Sequence, residues 1–165
     1  SSPRRQRQMC IRDSPYLGIC FGAQLLAKCL GSEITTNKDG LSEIGFYKIE
    51  PTENAKNLFN SQKIFFQFHS EGFSLPTGCE LLARGDIFNN QAFKYQNCYA
   101  LQFHPEVNFK LHMRWLYLVL LKNPKKLFVK GAQNIFVQLY YRYKYNKNIS
   151  NWLDSFLDQY FLKKT

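Results

Sequence analysis

The chain has 165 residues, of which 45% are hydrophobic and 16% aromatic. That composition suits one soluble domain with a sizeable core and excludes disordered, collagen-like and low-complexity classes. The formal net charge of +10 raises nucleic acid or an anionic membrane as partners.

In chain order, residues 1–14 come first, with Arg4, Arg5, Arg7 and Arg12 against Asp13, a net +3. They have no strand or helix period. They read as a leader foreign to the domain, resembling translated adapter sequence, or else as a basic tail. From Pro15 the pattern sharpens. Pro15 to Ile19 reads as a short buried strand. Phe21 to Leu30 follows as a helix with Leu25, Leu26 and Leu30 on one face and Gly31 just past its end. Ile44 to Ile49 reads as a strand ended by Pro51, Lys63 to Phe68 as another and Glu80 to Ala83 as a third. Gln91 to Tyr95 and Cys98 to Phe103 flank Gln96-Asn97 as a hairpin. Residues 15–109 hold seven Lys/Arg against nine Asp/Glu, a net −2. Phe109 to Lys122 reads as a helix with Leu111, Trp115, Leu118 and Leu121 on one side. Phe136 to Tyr145 is an amphipathic helix or an irregular aromatic stretch. Ser150 caps a last helix running to about Leu162. Residues 110–165 hold eleven Lys/Arg against two Asp, a net +9. The class is α/β: a core over 15–122 and a basic helical extension over 123–165.

The five cysteines, Cys10, Cys20, Cys29, Cys79 and Cys98, form no C-x-x-C. With three scattered histidines, no metal site is expected. A chain with this much core needs no disulfide framework, so a reducing, cytoplasmic location is expected. The longest apolar run, Trp115 to Leu121, has seven residues. A membrane span needs about 20, so this run reads as a buried helix face. No apolar segment of a signal peptide follows the N-terminal arginines.

Two constellations carry chemistry. Gly18-Ile-Cys20-Phe-Gly22 sits between the first strand and the first helix, the G-x-nucleophile-x-G arrangement of a nucleophile elbow. The flanking glycines leave room for a strained turn. The helix N-terminus favours thiolate over thiol, and the Phe21 N–H can donate to an oxyanion. A small core cysteine between two glycines is the plainer reading. The second is Ala100-Leu-Gln-Phe-His104-Pro-Glu106, where a buried strand ends at a histidine with a carboxylate two residues on. Cysteine chemistry needs a base for the thiol proton and an acid for the leaving amine, and one imidazole can serve as both. A carboxylate fixes its tautomer. In a parallel α/β sheet, the strand exit is where ligands bind.

PYLGICFGAQLLAKCLG followed by ALQFHPEV resembles the class I glutamine amidotransferases. Glu43-Ile-Gly-Phe-Tyr47 and Asn90-Gln-Ala-Phe93 resemble their GMP-synthase-like branch, as does the final Trp152-to-Leu157 helix. The resemblance implies a flavodoxin-like open sheet and a Cys20, His104, Glu106 triad. It implies hydrolysis of the L-glutamine side-chain amide through a thioester, with no cofactor. It also implies an oxyanion donor at Phe21, turn glycines at Gly18 and Gly22, and substrate contacts from Gln24 and from the Phe68-His69-Ser70-Glu71 loop. From their own residues, Gln24 reads equally as a solvent-facing helix residue and Ser70 as a turn residue. His69 reads as structural or as bordering the pocket, and His112 as a helix residue with no visible partner.

A complete domain of that family has several βα units before the nucleophile strand. Here the N-terminal strands and one oxyanion donor are expected to be missing, with weak activity and stability as the result. No nucleotide-binding glycine-rich loop occurs, so the ammonia acceptor is expected on a separate synthetase polypeptide. Two alternatives stand beside this reading. One is hydrolysis of a γ-glutamyl bond in a free metabolite. The other is a basic module binding RNA or an acidic partner through Lys122 to Lys130 and the Tyr140 to Tyr145 stretch. With the charge excess confined to the flanks, nucleic acid and membrane are disfavoured as partners.

Overall fold

The structure is a computed structural model and describes residues 15–162. The expected leader, with Cys10, lies outside the described residues.

The first strand, β1 (Tyr16–Ile19), leads directly into α1 (Phe21–Cys29). The chain continues through β2 (Ile34–Thr36), β3 (Glu43–Lys48), β4 (Glu50–Pro51), a 3-10 turn and α2 (Lys56–Phe59). Then come β5 (Ile64–His69), β6 (Glu71–Phe73), β7 (Glu80–Arg84), β8 (Ala92–Tyr95) and β9 (Cys98–Leu101). Two long helices follow, α3 (Phe109–Lys122) and α4 (Ile135–Leu157), joined through a 3-10 segment over Pro124–Phe128. No helix among the described residues is long and apolar enough to cross a membrane.

The main sheet runs β1-β9-β8-β7-β4. Only β1 and β9 are parallel, with Ile19 opposite Leu101. The rest is antiparallel, so the sheet is mixed, and the hairpin expected at Gln96-Asn97 lies within it. The cause is local. A two-residue turn joins β8 to β9, with Gln96 at φ 52 and Tyr95 opposite Cys98, and a loop that short can only reverse the chain. The pairs β3–β5 and β2–β6 stand apart as two-stranded antiparallel sheets. Among the described residues β1 pairs on one side only. It is accordingly less buried than its apolar sequence suggests, with Tyr16 36% exposed.

The core is aromatic. Phe65 and Phe103 stack with centroids 4.2 Å apart, and Trp152 lies parallel to Phe59 at 5.6 Å. Ile149, Trp152 and Phe156 of α4 join Phe59, Phe65, Phe66 and Leu101 in one buried cluster. The C-terminal segment therefore completes the core.

Four readings change. The last helix does not begin at Ser150. It runs unbroken from Ile135, and Asn134 caps it by accepting from Phe136 N. Asn146, Asn148, Ser150 and Asn151 are weak helix formers, but Ile149 and Trp152 are anchored in the core and carry the helix through. On α3 the buried residues are His112 and Leu116, with Leu111 and Trp115 packed against the core. Leu118 and Leu121 lie outside it, and Tyr117 and Leu120 are also exposed, so the Trp115 to Leu121 run is not a buried face. A run that is apolar all round has no period from which to read its inner side. On α1, Leu25 faces out while Leu26 is buried. Finally, Pro51 does not end a strand but pairs with Ala83 in β4.

Candidate active site

Cys20 stands between β1 and α1 at φ 49, ψ −103. A non-glycine residue held there costs on the order of 1–3 kcal/mol, and the surroundings hold it. Its N–H donates to Leu101 O at 2.7 Å, and its carbonyl accepts from Gln24 N at 3.0 Å. Both glycines are explained by space. A Cβ on Gly18 would stand 2.6 Å from Gly22 O, and one on Gly22 would crowd the Tyr16 hydroxyl at 3.3 Å. That hydroxyl donates to Gly22 O at 3.1 Å.

Because β1 and β9 are parallel, their ends fall at one edge. Past β9 the chain runs buried through Gln102 and Phe103 to His104. His104 N donates to Phe66 O at 2.8 Å. Nδ1 of His104 lies 2.7 Å from Glu106 Oε1, and the ring meets Trp115 edge-on at 5.1 Å. Cys20 lies close enough to act on the charge of this ring. Burial pushes the imidazole pKa down, but Cys20 and Glu106 outweigh it and raise it to about 9. His104 thus holds its proton through neutral pH.

A cavity of about 300 Å³ opens beside Cys20. Phe21, Gln24, His69 and Ser70 all line it, with Phe68 and Glu71. Phe21 is the first residue of α1, so its N–H has no acceptor within the helix. Gln24 is 7% exposed, not solvent-facing, and donates through Nε2 to Glu71 O at 2.9 Å. Ser70 is exposed at the rim. His69 is buried with both nitrogens engaged. Nδ1 lies 2.9 Å from Glu71 O, and Nε2 lies 2.9 Å from Glu43 Oε2 and 3.1 Å from Gln67 Oε1. His112 lies elsewhere, buried and partnered by Gln138 and Arg142. No group of three or more His, Cys, Asp or Glu among the described residues is placed to hold a metal ion.

Two contributors escaped the sequence reading. Gln102 is fully buried, and its Nε2 donates to Cys20 Sγ at 3.7 Å while Oε1 accepts from Gln24 at 3.3 Å. A glutamine inside an apolar strand exit was the available sign, since a buried amide needs partners. Lys126 of the C-terminal segment lines the cavity with Val129, and its Nζ lies 5.9 Å over the Phe68 ring. In the sequence it was one lysine of a basic cluster. The neighbouring aromatic-basic stretch is divided: Tyr141 and Tyr145 pack on the core and Arg142 is buried, while Tyr140 and Tyr143 face out.

The family model "Glutamine amidotransferase class-I" matches residues 2–123. The chain belongs to the class I glutamine amidotransferase family. Among relatives, one of the subunits of the glutamine-hydrolysing GMP synthase of Methanobrevibacter smithii is 31% identical over 99 residues, covering 58% of this chain and 52% of that protein. Its counterpart in Pyrococcus furiosus is 35% identical over 101 residues, covering 59% and 54%. The chain thus spans about half the length of these relatives. A solved glutamine amidotransferase of Thermotoga maritima superposes with a TM-score of 0.80 at 28% identity, over 93% of this chain and 65% of that one. One from Methylobacillus flagellatus superposes at 0.82 with 22% identity, over 94% and 66%, a likeness of fold. The mixed α/β architecture with its open sheet and C-terminal helix is that of the amidotransferase family.

Proposed function

We propose that this chain is a glutaminase of the GMP-synthase-like kind, freeing ammonia from L-glutamine for a separate synthetase polypeptide. The observation that carries the reading is the strained Cys20 beside His104, whose ring is itself held by Glu106. The separate acceptor is supported by the relatives from M. smithii and P. furiosus, each being one subunit of a glutamine-hydrolysing GMP synthase.

In the proposed reaction, Cys20 Sγ attacks the side-chain amide carbon. The C–S bond forms as the carbonyl electrons move onto oxygen, where the Phe21 N–H donates to them. His104, holding the proton taken from the thiol, passes it to the leaving nitrogen. The C–N bond breaks and ammonia departs. Water then attacks the thioester with His104 as base, releasing glutamate and the free thiol. Glu106 fixes the imidazole throughout. Gln24, Ser70 and the His69 wall shape the substrate pocket. The Gln102 amide donates toward sulfur.

The test is ammonia release from L-glutamine by the full chain and by Cys20→Ser. A loss of about 1000-fold or more in the variant is expected. Equal release by both would overturn the reading. Turnover confined to other γ-glutamyl compounds would move it to a γ-glutamyl hydrolase.

A further inference from the structure

Arg142 lies mid-way along α4, beyond the segment that the family model matches. It is 0% exposed. Its guanidinium lies over the rings of Phe46 at 4.8 Å and Phe66 at 5.2 Å. Its Nε donates to His112 Nδ1 at 3.3 Å. The proton of His112 must then sit on Nε2, which faces Gln138 Oε1 at 3.2 Å. Burial and the Arg142 charge push this imidazole down to about 4, so His112 is neutral and cannot balance the guanidinium.

Both Nη atoms of Arg142 are buried and make no hydrogen bond among the described residues. An unbalanced buried cation is costly, and stacking on two rings offsets only part of that. Among the described residues, Glu106 is the carboxylate whose charge acts on it. Glu106 has the matching need. Its Oε1 holds His104, while its Oε2 is buried without a hydrogen bond. Phe66 stands between the two orphaned groups: its ring carries the guanidinium at 5.2 Å, while its carbonyl accepts from His104 N and its ring lies 6.4 Å from the His104 ring that Glu106 holds.

We propose that Arg142 is a positioning residue whose buried guanidinium is the counter-charge that keeps the Glu106 carboxylate turned inward on His104. It never touches substrate. The charged and titratable groups tied to it are His112 on α3, Glu106, and through Glu106 His104 and Cys20. The role rests on reading Cys20, His104 and Glu106 as a triad.

The test compares the full chain with Arg142→Met, which keeps the packing over the two rings, and with Arg142→Lys. The His104 ring is titrated by NMR, its resonance identified by loss in His104→Asn, and ammonia release from glutamine is followed in parallel. Arg142→Met is expected to lower the His104 midpoint by about one pH unit or more, because the hold of Glu106 is lost. Its kcat is expected to fall about tenfold or more at unchanged KM. Arg142→Lys is expected to recover most of both. The sign decides the matter. Merely removing a cation near an imidazolium raises its midpoint, so an unchanged or raised midpoint in Arg142→Met overturns the proposal. If Arg142→Met does not fold, the double variant with Glu106→Gln, which deletes both charges, is expected to regain folding. A double variant equally unfolded overturns it. Should no variant hydrolyse glutamine, the glutaminase reading fails, while the His104 titration still decides the role of Arg142.

Discussion

At Gly18 the chain has no room for one more carbon. An added Cβ would stand 2.6 Å from Gly22 O and 2.8 Å from Ala23 N. Both are backbone atoms of the first turn of α1, so no side-chain rotation can relieve the clash. Gly18→Ala must push β1 from α1, and the residue between them is Cys20. The expected result is a loss of about 1–3 kcal/mol in stability and a slower reaction of Cys20 with iodoacetamide. Urea unfolding and alkylation rates would check it, and parent values for both would refute it. This part of the site is legible in the sequence because its causes are local. The two glycines lie four residues apart, and His104 and Glu106 two apart at one strand exit. Gln102 and Arg142 are different. Gln102 meets Cys20 across 82 positions, and Arg142 meets His112 across 30. Only the parallel pairing of β1 with β9, and the packing of α4 on α3, bring them into reach.

The elements divide along the same line. Strands bounded by turn residues are readable because alternation and breakers are short-range signals, and β5, β7, β8 and β9 lie within a residue or two of where the sequence puts them. The faces of the helices are not readable in this way, since residues 115–121 of α3 are apolar all round and the long helix α4 crosses an asparagine-rich stretch. What sets α4 is its seat in the core. Trp152 stacks on Phe59 and Phe156 and donates from its indole N–H to Leu58 O at 3.0 Å. Trp152→Ala is expected to cost about 3–5 kcal/mol. Tyr143→Ala, earlier in the same helix but 86% exposed, is expected to stay within about 0.5 kcal/mol. Denaturant midpoints for the two variants check the contrast. Similar losses would mean that α4 is held by something other than its buried stripe.

For the whole molecule, the buried histidines pull stability in opposite directions. His104 is raised to about 9 in the fold, from an ordinary value of 6.5. Its contribution is fully present below pH 6.5 and is lost as pH rises through about 9. His112 is depressed to about 4. In the unfolded chain it takes up a proton near pH 6.5, but in the fold only near 4, so its contribution is present above 6.5 and lost as pH falls through 4. Stability is therefore expected to peak near pH 6.5 and to decline on both sides, far below the sequence isoelectric point of 9.4. The two limbs have separate owners. His104→Gln should flatten the decline between pH 6.5 and 9 and leave the acid limb. His112→Gln should flatten the decline between 6.5 and 4, apart from what the carboxylates add at its lower end. Denaturant midpoints measured from about pH 4.5 to about 9.5 for the three proteins decide it. A parent whose stability is level from 6.5 to 9 would show that Cys20 and Glu106 do not keep the proton on His104. The proposed triad would then lose its electrostatic basis even if the ring stayed in place.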